Sequence, residues 1–193
     1  MRWPSAAALS TIVDMDPLYD RILVRPATYD DAEAVRRIRN DAVENTTAIW
    51  TSVTQTSDEA AEWWADHVDR GAAYVAEELH DAGHEAAERE PVILGYACWA
   101  QWRAKEGYRF TVEDSVYVRP GEEGRGIGRR LLAALVDGAR EAGMHVMLAD
   151  IESGNTASIA LHARLGFETV GTLREIGTKH DRWLDLTIMR LAL

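Results

Sequence analysis

The stretch that decides the fold is VYVRPGEEGRGIGRRLL, residues 116–132. Its first three residues close the run TVEDSVYV, residues 111–118, which reads as a strand. Gly124, Gly126 and Gly128 then space a tight turn, and RRLLAALVDGAREAG continues as a helix with Gly143 as its stop. Strand, glycine-rich turn and helix N-terminus together make an anion site, because backbone N–H groups can approach closely and the helix end adds partial positive charge. Arg125, Arg129 and Arg130 place full charges beside it. A nucleotide P-loop is excluded, since no Gly-Lys-Ser/Thr ending is present. A dinucleotide fingerprint needs an acid at the end of the following strand, and Asp150 lies 22 residues past Gly128. Such folds open on their glycine loop, whereas here about 120 residues and a hairpin precede it, so a nicotinamide enzyme remains a lesser alternative.

Outward from this loop, the chain alternates strands and helices. ILVR at 22–25 reads as a strand ended by Pro26, and TYDDAEAVRRIRN as a helix capped by Thr28 or Asp30. Val35, Ile38 and Ala42 share one face of it. ENTTAIWTS reads as a loop, and residues 57–70 as a helix with Ser57 at its N-cap. Residues 72–76, 92–102 and 109–119 read as strands. In TVEDSVYV, Val112, Asp114, Val116 and Val118 take one face, and Glu113, Ser115 and Tyr117 the other. MHVMLADI reads as a buried strand, SGNTASIALHARLG as a helix, and FETVGTLREI and RWLDLTIMRLAL as two closing strands. The class is therefore α/β or α+β with a mixed sheet. At 193 residues the chain suits one domain, 21–193, preceded by a loosely ordered extension, 1–20.

The charge balance, 32 acidic against 21 basic residues for a net −11, argues against nucleic acid or an anionic membrane as partner. Lys105 and Lys179 are the only lysines. This acidic, lysine-poor surface suits a salt-rich cytoplasm or a biased genome equally. No apolar run reaches the ~18 residues of a membrane span. AAALSTIV near the N-terminus is too weak for a signal peptide. Cys98, the single cysteine, sits in the apolar run VILGYACW and reads as a buried small hydrophobe in a reducing, cytoplasmic setting. The acidic segment 77–91 reads as a solvated loop. Its His80 and His84 are four apart but lack a third ligand, so no metal is expected.

Two blocks, VYVRPGEEGRGIG and NTASIALHARLGF, resemble the GCN5-related N-acetyltransferase (GNAT) superfamily. NTTAIW at 45–50, WR at 102–103, TVEDSVYV, LHARLGF and DRWLDL bring the chain close to the phosphinothricin and methionine sulfoximine/sulfone acetyltransferases over roughly residues 22–193. The resemblance implies a mixed, mostly antiparallel twisted sheet splayed at its centre, flanked by helices, with acetyl-CoA in the gap. It implies backbone contacts to acetyl-CoA from Val116, Tyr117 and Val118. Pyrophosphate contacts would come from Gly124, Arg125, Gly126, Ile127, Gly128 and Arg129, and further contacts from Asn155 and Ser158. The acceptor would lie near Arg103, Ala104, Lys105, Asp114 and Ser115. It also implies a homodimer acting on a small-molecule amine.

Four positions depart from the family pattern. Glu123 stands where Arg or Gln is usual, and is expected to turn to solvent with Arg125 or Arg129 compensating. Ala104 and Lys105 replace Pro-Phe, and Asp114 replaces His. The last two departures touch the choice of acceptor more than the chemistry.

An amine attacks a thioester only as the free base, so a proton acceptor is needed, and Glu113 is the candidate. His162 stands where related enzymes carry a Tyr and could protonate the departing thiolate or assist Glu113. A backbone amide near Val116 could hold the oxyanion. Arg103 could fork onto acceptor oxygens, with Arg174, Lys179 and Arg182 of lower rank. Trp50, Trp99 and Trp102 read as core, Trp102 being best placed to line the site. The expected reaction is direct acetyl transfer to an amino-acid-like amine. Alternatives are a polyamine, an aminoglycoside or a protein N-terminus as acceptor, or a non-catalytic CoA-binding sensor.

Overall fold

A computed structural model of the chain describes residues 21–79 and 91–193. The N-terminal extension and the His80/His84 pair lie outside those residues. Seven strands form one sheet in the order β1-β2-β3-β4-β5-β7-β6. They are β1 (Ile22–Pro26), β2 (Ala73–Glu78), β3 (Val92–Gln101), β4 (Thr111–Val118), β5 (Val146–Glu152), β6 (Glu168–Lys179) and β7 (Arg182–Ala192). All neighbours pair antiparallel except β4 and β5, which are parallel. A parallel pair needs a crossover, and the helix α3 (Ile127–Glu141) supplies it.

The helices α1 (Ala32–Asn45), α2 (Ser57–Asp69), α3 and α4 (Thr156–Arg164) cover the sheet. On one face Leu131, Leu132 and Leu135 of α3 pack on Leu94, Val112, Met147 and Met189. On the other, Val35 and Ile38 of α1 and Trp64 of α2 pack on Val75, Tyr96 and Cys98. The alternation read in TVEDSVYV is the physical link: Val112, Val116 and Val118 join the first cluster, and Tyr117 the second.

Local chemistry sets the element ends. A 3-10 turn at Tyr29–Asp31 leads into α1, with Thr28 and Asp31 in a reciprocal capping box and Asp31 also clamped by Arg25 at 2.8 and 2.9 Å. Helix α2 is capped by Thr56, one residue before the expected Ser57, because only Thr56 lies three residues before Glu59 and completes the box. The acidic segment was read as loop from residue 77, yet Glu77 and Glu78 continue β2. Their charges are absorbed by Arg25 and Arg125, which lets a strand run through them.

Lys179 is not an acceptor-site cation. It is 7% exposed, and its ammonium donates to the carbonyls of Val43 and Ile49, each at 2.6 Å. Burial depresses its pKa. It thereby pins the C-terminal end of α1 and the following loop to β6. Lys179→Met strands both carbonyls, so a loss of about 2 kcal/mol is expected, the usual cost of unpaired buried acceptors. A thermal melt checks it; an unchanged midpoint would contradict the pinning role.

Candidate active site

The β4–β5 ladder runs only through Thr111↔Val146, Val112↔Met147 and Glu113↔Leu148. Beyond that point β4 continues to Val118 beside β3, while β5 continues to Glu152 beside β7. The sheet therefore opens at Asp114, and residues 114–118 have no strand partner on that side. Ser115, Val116, Asp150, Asn155 and His162 line the opening, along with Ala48 from the loop after α1. Peptide groups freed from pairing in this way suit an extended amide-bearing ligand or a developing oxyanion.

From the opening a groove of about 710 Å³ runs between β4 and α4 to the glycine-rich loop. The loop is shaped by positive φ at Gly121, Gly124 and Gly126 (86°, 79° and 74°). Gly126 starts α3 in the left-handed region, and no side chain caps the helix. Uncapped N–H groups at the positive end of a helix suit a diphosphate. Gly128 lets α4 approach: a Cβ there would meet Leu161 at 3.3 Å. Gly124, Gly126, Ile127, Gly128 and Arg129 all line the groove, as do Val116, Tyr117, Val118, Asn155 and Ser158. The groove thus fits a long, phosphate-bearing ligand whose far end reaches the opening.

Two charged residues of the loop are held by protein groups, Glu123 with its residue exposed as expected. Arg125 is absent from the groove lining, because its guanidinium is held by Glu122 and by Glu78 at 3.4 Å. It anchors the loop to β2, leaving its backbone as the part able to meet an anion. Glu123 folds back and accepts from the Gly121 N–H at 2.8 Å, so its charge is engaged within the loop. Asn155 caps α4, its Oδ1 accepting from the Ser158 N–H at 3.1 Å, which leaves its amide N–H groups as donors.

The titratable groups divide between two sides of the opening. Among the described residues, Glu113 finds no hydrogen-bond or ion-pair partner. Burial first, then Asp150 and Asp114, push its pKa up to about 7. Asp114 and His162 form a buried pair, 4% and 3% exposed, with Oδ1 to Nε2 at 3.2 Å. His162 Nδ1 lies 2.8 Å from the Ser158 carbonyl, which can only accept, so this nitrogen carries a hydrogen. Both ring nitrogens are therefore engaged. Burial opposes charge on the imidazole, but the Asp114 carboxylate outweighs it and raises the His162 pKa. Asp114 Oδ2 is buried without a partner on the lining of the opening. Asp114 thus belongs with His162 and α4, away from the face that carries Glu113.

Arg103 is exposed in the β3–β4 connection, its guanidinium stacked 4.2 Å from the centre of the Trp102 ring. Burial first, then Asp114, raise the Asp150 pKa, and Arg103 is close enough to offset part of that rise. Ala104 and Lys105 are exposed in the same connection. Trp99 is core, 7% exposed. Trp50 is half-buried and lies flat on Gly177, where a Cβ would come within 2.1 Å of its ring. This contact, with Thr47 Oγ1 3.4 Å from Glu152 Oε2, holds the loop after α1 over the opening.

The profile of the Acetyltransferase (GNAT) family matches residues 35–167. That match spans both the glycine loop and α4. The chain belongs to the GNAT family. An L-methionine sulfoximine/L-methionine sulfone acetyltransferase of Pseudomonas aeruginosa is 46% identical over 170 residues, 88% of this chain and 94% of its own. A phosphinothricin N-acetyltransferase of Alcaligenes faecalis is 36% identical over 88% of this chain and 82% of its own. Among solved structures, a GNAT superfamily phosphinothricin acetyltransferase from Sinorhizobium meliloti in complex with acetyl-CoA has a TM-score of 0.79. It is 32% identical over 90% of this chain and 89% of that one. In this GNAT chain the opening in the sheet, the groove and the glycine loop form one continuous site. Sequence reasoning missed Asp150 as a member of the site, although MHVMLADI placed it on a strand. Its alternation with Leu148 was the available signal.

Proposed function

We propose that the protein is an acetyl-CoA-dependent N-acetyltransferase for amino-acid-like acceptors of the phosphinothricin, methionine sulfoximine or methionine sulfone type. The carrying observation is Glu113, an unpaired, half-buried carboxylate at the last paired position before the sheet opens, the opening from which a groove runs to an uncapped helix N-terminus. The names of relatives that align over 88% of the chain support the acceptor class.

Acetyl-CoA supplies the thioester carbonyl carbon. The acceptor ammonium gives one proton to Glu113, and the freed nitrogen then forms the new C–N bond while the C–S bond breaks. CoA leaves as thiolate, and the nitrogen sheds its second proton to solvent. The Asp114–His162 pair lines the opening, and in this reading it returns a proton to the thiolate through the Asp114 carboxyl, whose Oδ2 is without a partner. The open peptide groups of residues 114–118 supply N–H donors for the oxyanion. Arg103, steadied on Trp102, meets the oxygens of the acceptor's acidic end. A homodimer is part of this reading. The edge hairpin of β6 and β7 exposes Val170, Leu173, Ile176 and Trp183, the last at 69%, more apolar surface than a solitary edge strand carries safely. A reducing cytoplasm suits the single buried thiol, Cys98.

The test is thiol release from acetyl-CoA with methionine sulfone, methionine sulfoximine, phosphinothricin, common amino acids, spermidine, an aminoglycoside and a peptide. Turnover confined to the first three supports the reading. Turnover with spermidine, the aminoglycoside or the peptide instead replaces the acceptor class. Tight acetyl-CoA binding without turnover on any of them would leave a sensor.

A further inference from the structure

Asp150 has no assigned role, yet it occupies a singular position. Leu148 is the last β5 residue paired with β4, and its partner is Glu113. Asp150 is two residues further on, so it shares the face of Leu148 and is the diagonal neighbour of Glu113 across the mouth of the opening. Its Oδ1 is buried without a hydrogen-bond partner, and the residue lines the opening. Glu113 is likewise unpaired. The other charged groups around them are Asp114 on β4, Glu152 on β5, His162 on α4 and Arg103 on the β3–β4 connection. Asp114 is taken by His162, and Glu152 by the Gly154 N–H at 2.9 Å and by Thr47. Glu113 and Asp150 are thus two uncommitted carboxylates on one face.

We propose that Asp150 is the second carboxylate of the acceptor site, and that with Glu113 it seats the ammonium of the incoming amine. The proposal rests on Glu113 being the base. Two facing carboxylates repel, and a cation between them relieves that repulsion while leaving one to take its proton. Arg103, whose charge reaches Asp150, then meets the negative end of the same molecule. The seat therefore selects zwitterionic amino acids, positive at the pair and negative at Arg103. Asp150 also keeps the Glu113 carboxyl higher than burial alone would, which matches the base to neutral pH.

The experiment uses full-length Asp150→Asn with methionine sulfone, Asp150→Glu as the conservative control, and a ¹³C NMR titration of the Glu113 carboxyl identified by its absence in Glu113→Gln. Removing the neighbouring charge lowers the Glu113 pKa. The acidic limb of kcat/KM and the NMR titration should both move down by about one pH unit, the usual scale of a close like charge. KM for the acceptor should rise about tenfold, as for loss of one charge-assisted contact, with KM for acetyl-CoA unchanged and Asp150→Glu close to the parent. A folded Asp150→Asn with both titrations unmoved overturns the coupling, and an unchanged acceptor KM overturns the seat. If the NMR titration moves while the kinetic limb stays, the coupling stands and the reading of Glu113 as base falls.

Discussion

Glu113→Gln is expected to lower kcat/KM by about 10²- to 10⁴-fold, the range that a positioned general base contributes, with little change in acetyl-CoA affinity. The parent's kcat/KM should climb as pH rises through about 7 and then level, because only the ionised Glu113 accepts the ammonium's proton and its pKa is pushed up to about 7. The variant should lack that limb. The sign for stability is opposite. A carboxyl whose folded pKa lies above its unfolded value penalises the fold once pH exceeds the unfolded value, and the penalty is fully developed above the folded one. Glu113→Gln should therefore melt no lower than the parent at pH 8. Loss of turnover with retained or raised stability marks a catalytic carboxylate. Equal turnover in the variant would remove Glu113 from the mechanism while leaving the fold intact.

The second large effect concerns the glycine loop. Gly126 begins α3 at φ 74°, a conformation that a β-branched residue adopts only under strain. Gly126→Val should unwind the first turn and swing its N–H groups away from the groove. Losing two backbone hydrogen bonds to a diphosphate, at about 1.5 kcal/mol each, weakens acetyl-CoA binding about a hundredfold. Calorimetry measures this directly, and the acceptor-side residues are untouched. Arg125→Ala provides the contrast. Its side chain is bound to Glu122 and Glu78, so affinity should drop far less than full removal of a phosphate-binding arginine would cause. A hundredfold loss in Arg125→Ala, with Gly126→Val silent, would assign the anion to side chains instead of the helix end.

Much of this protein is legible in its sequence because the signals are local. The spacing of Gly124, Gly126 and Gly128 needs only backbone sterics to specify a tight turn into a helix. The alternation in TVEDSVYV follows from the two-residue period of a strand, and it already separates Glu113 from Asp114. Cys98 within VILGYACW is buried because an apolar strand between two others has both faces covered. The paired motifs 116–128 and 155–167 fix the family because both must meet one ligand.

What the tertiary structure decided are the relations between distant residues. Sequence could not tell that Arg125 is spent on Glu78, 47 positions away, or that Lys179 serves as a buried tie for carbonyls 136 and 130 positions away. It could not join Asp114 to His162 across 48 positions, nor show that β4 and β5 part at Glu113 and Leu148 and so bring Asp150 to the mouth of the opening. Local conformation is set by neighbours along the chain, whereas the protonation and availability of a side chain are set by whatever packing brings beside it. For that reason the shape of the glycine loop could be read in advance, and the partners of its charges could not.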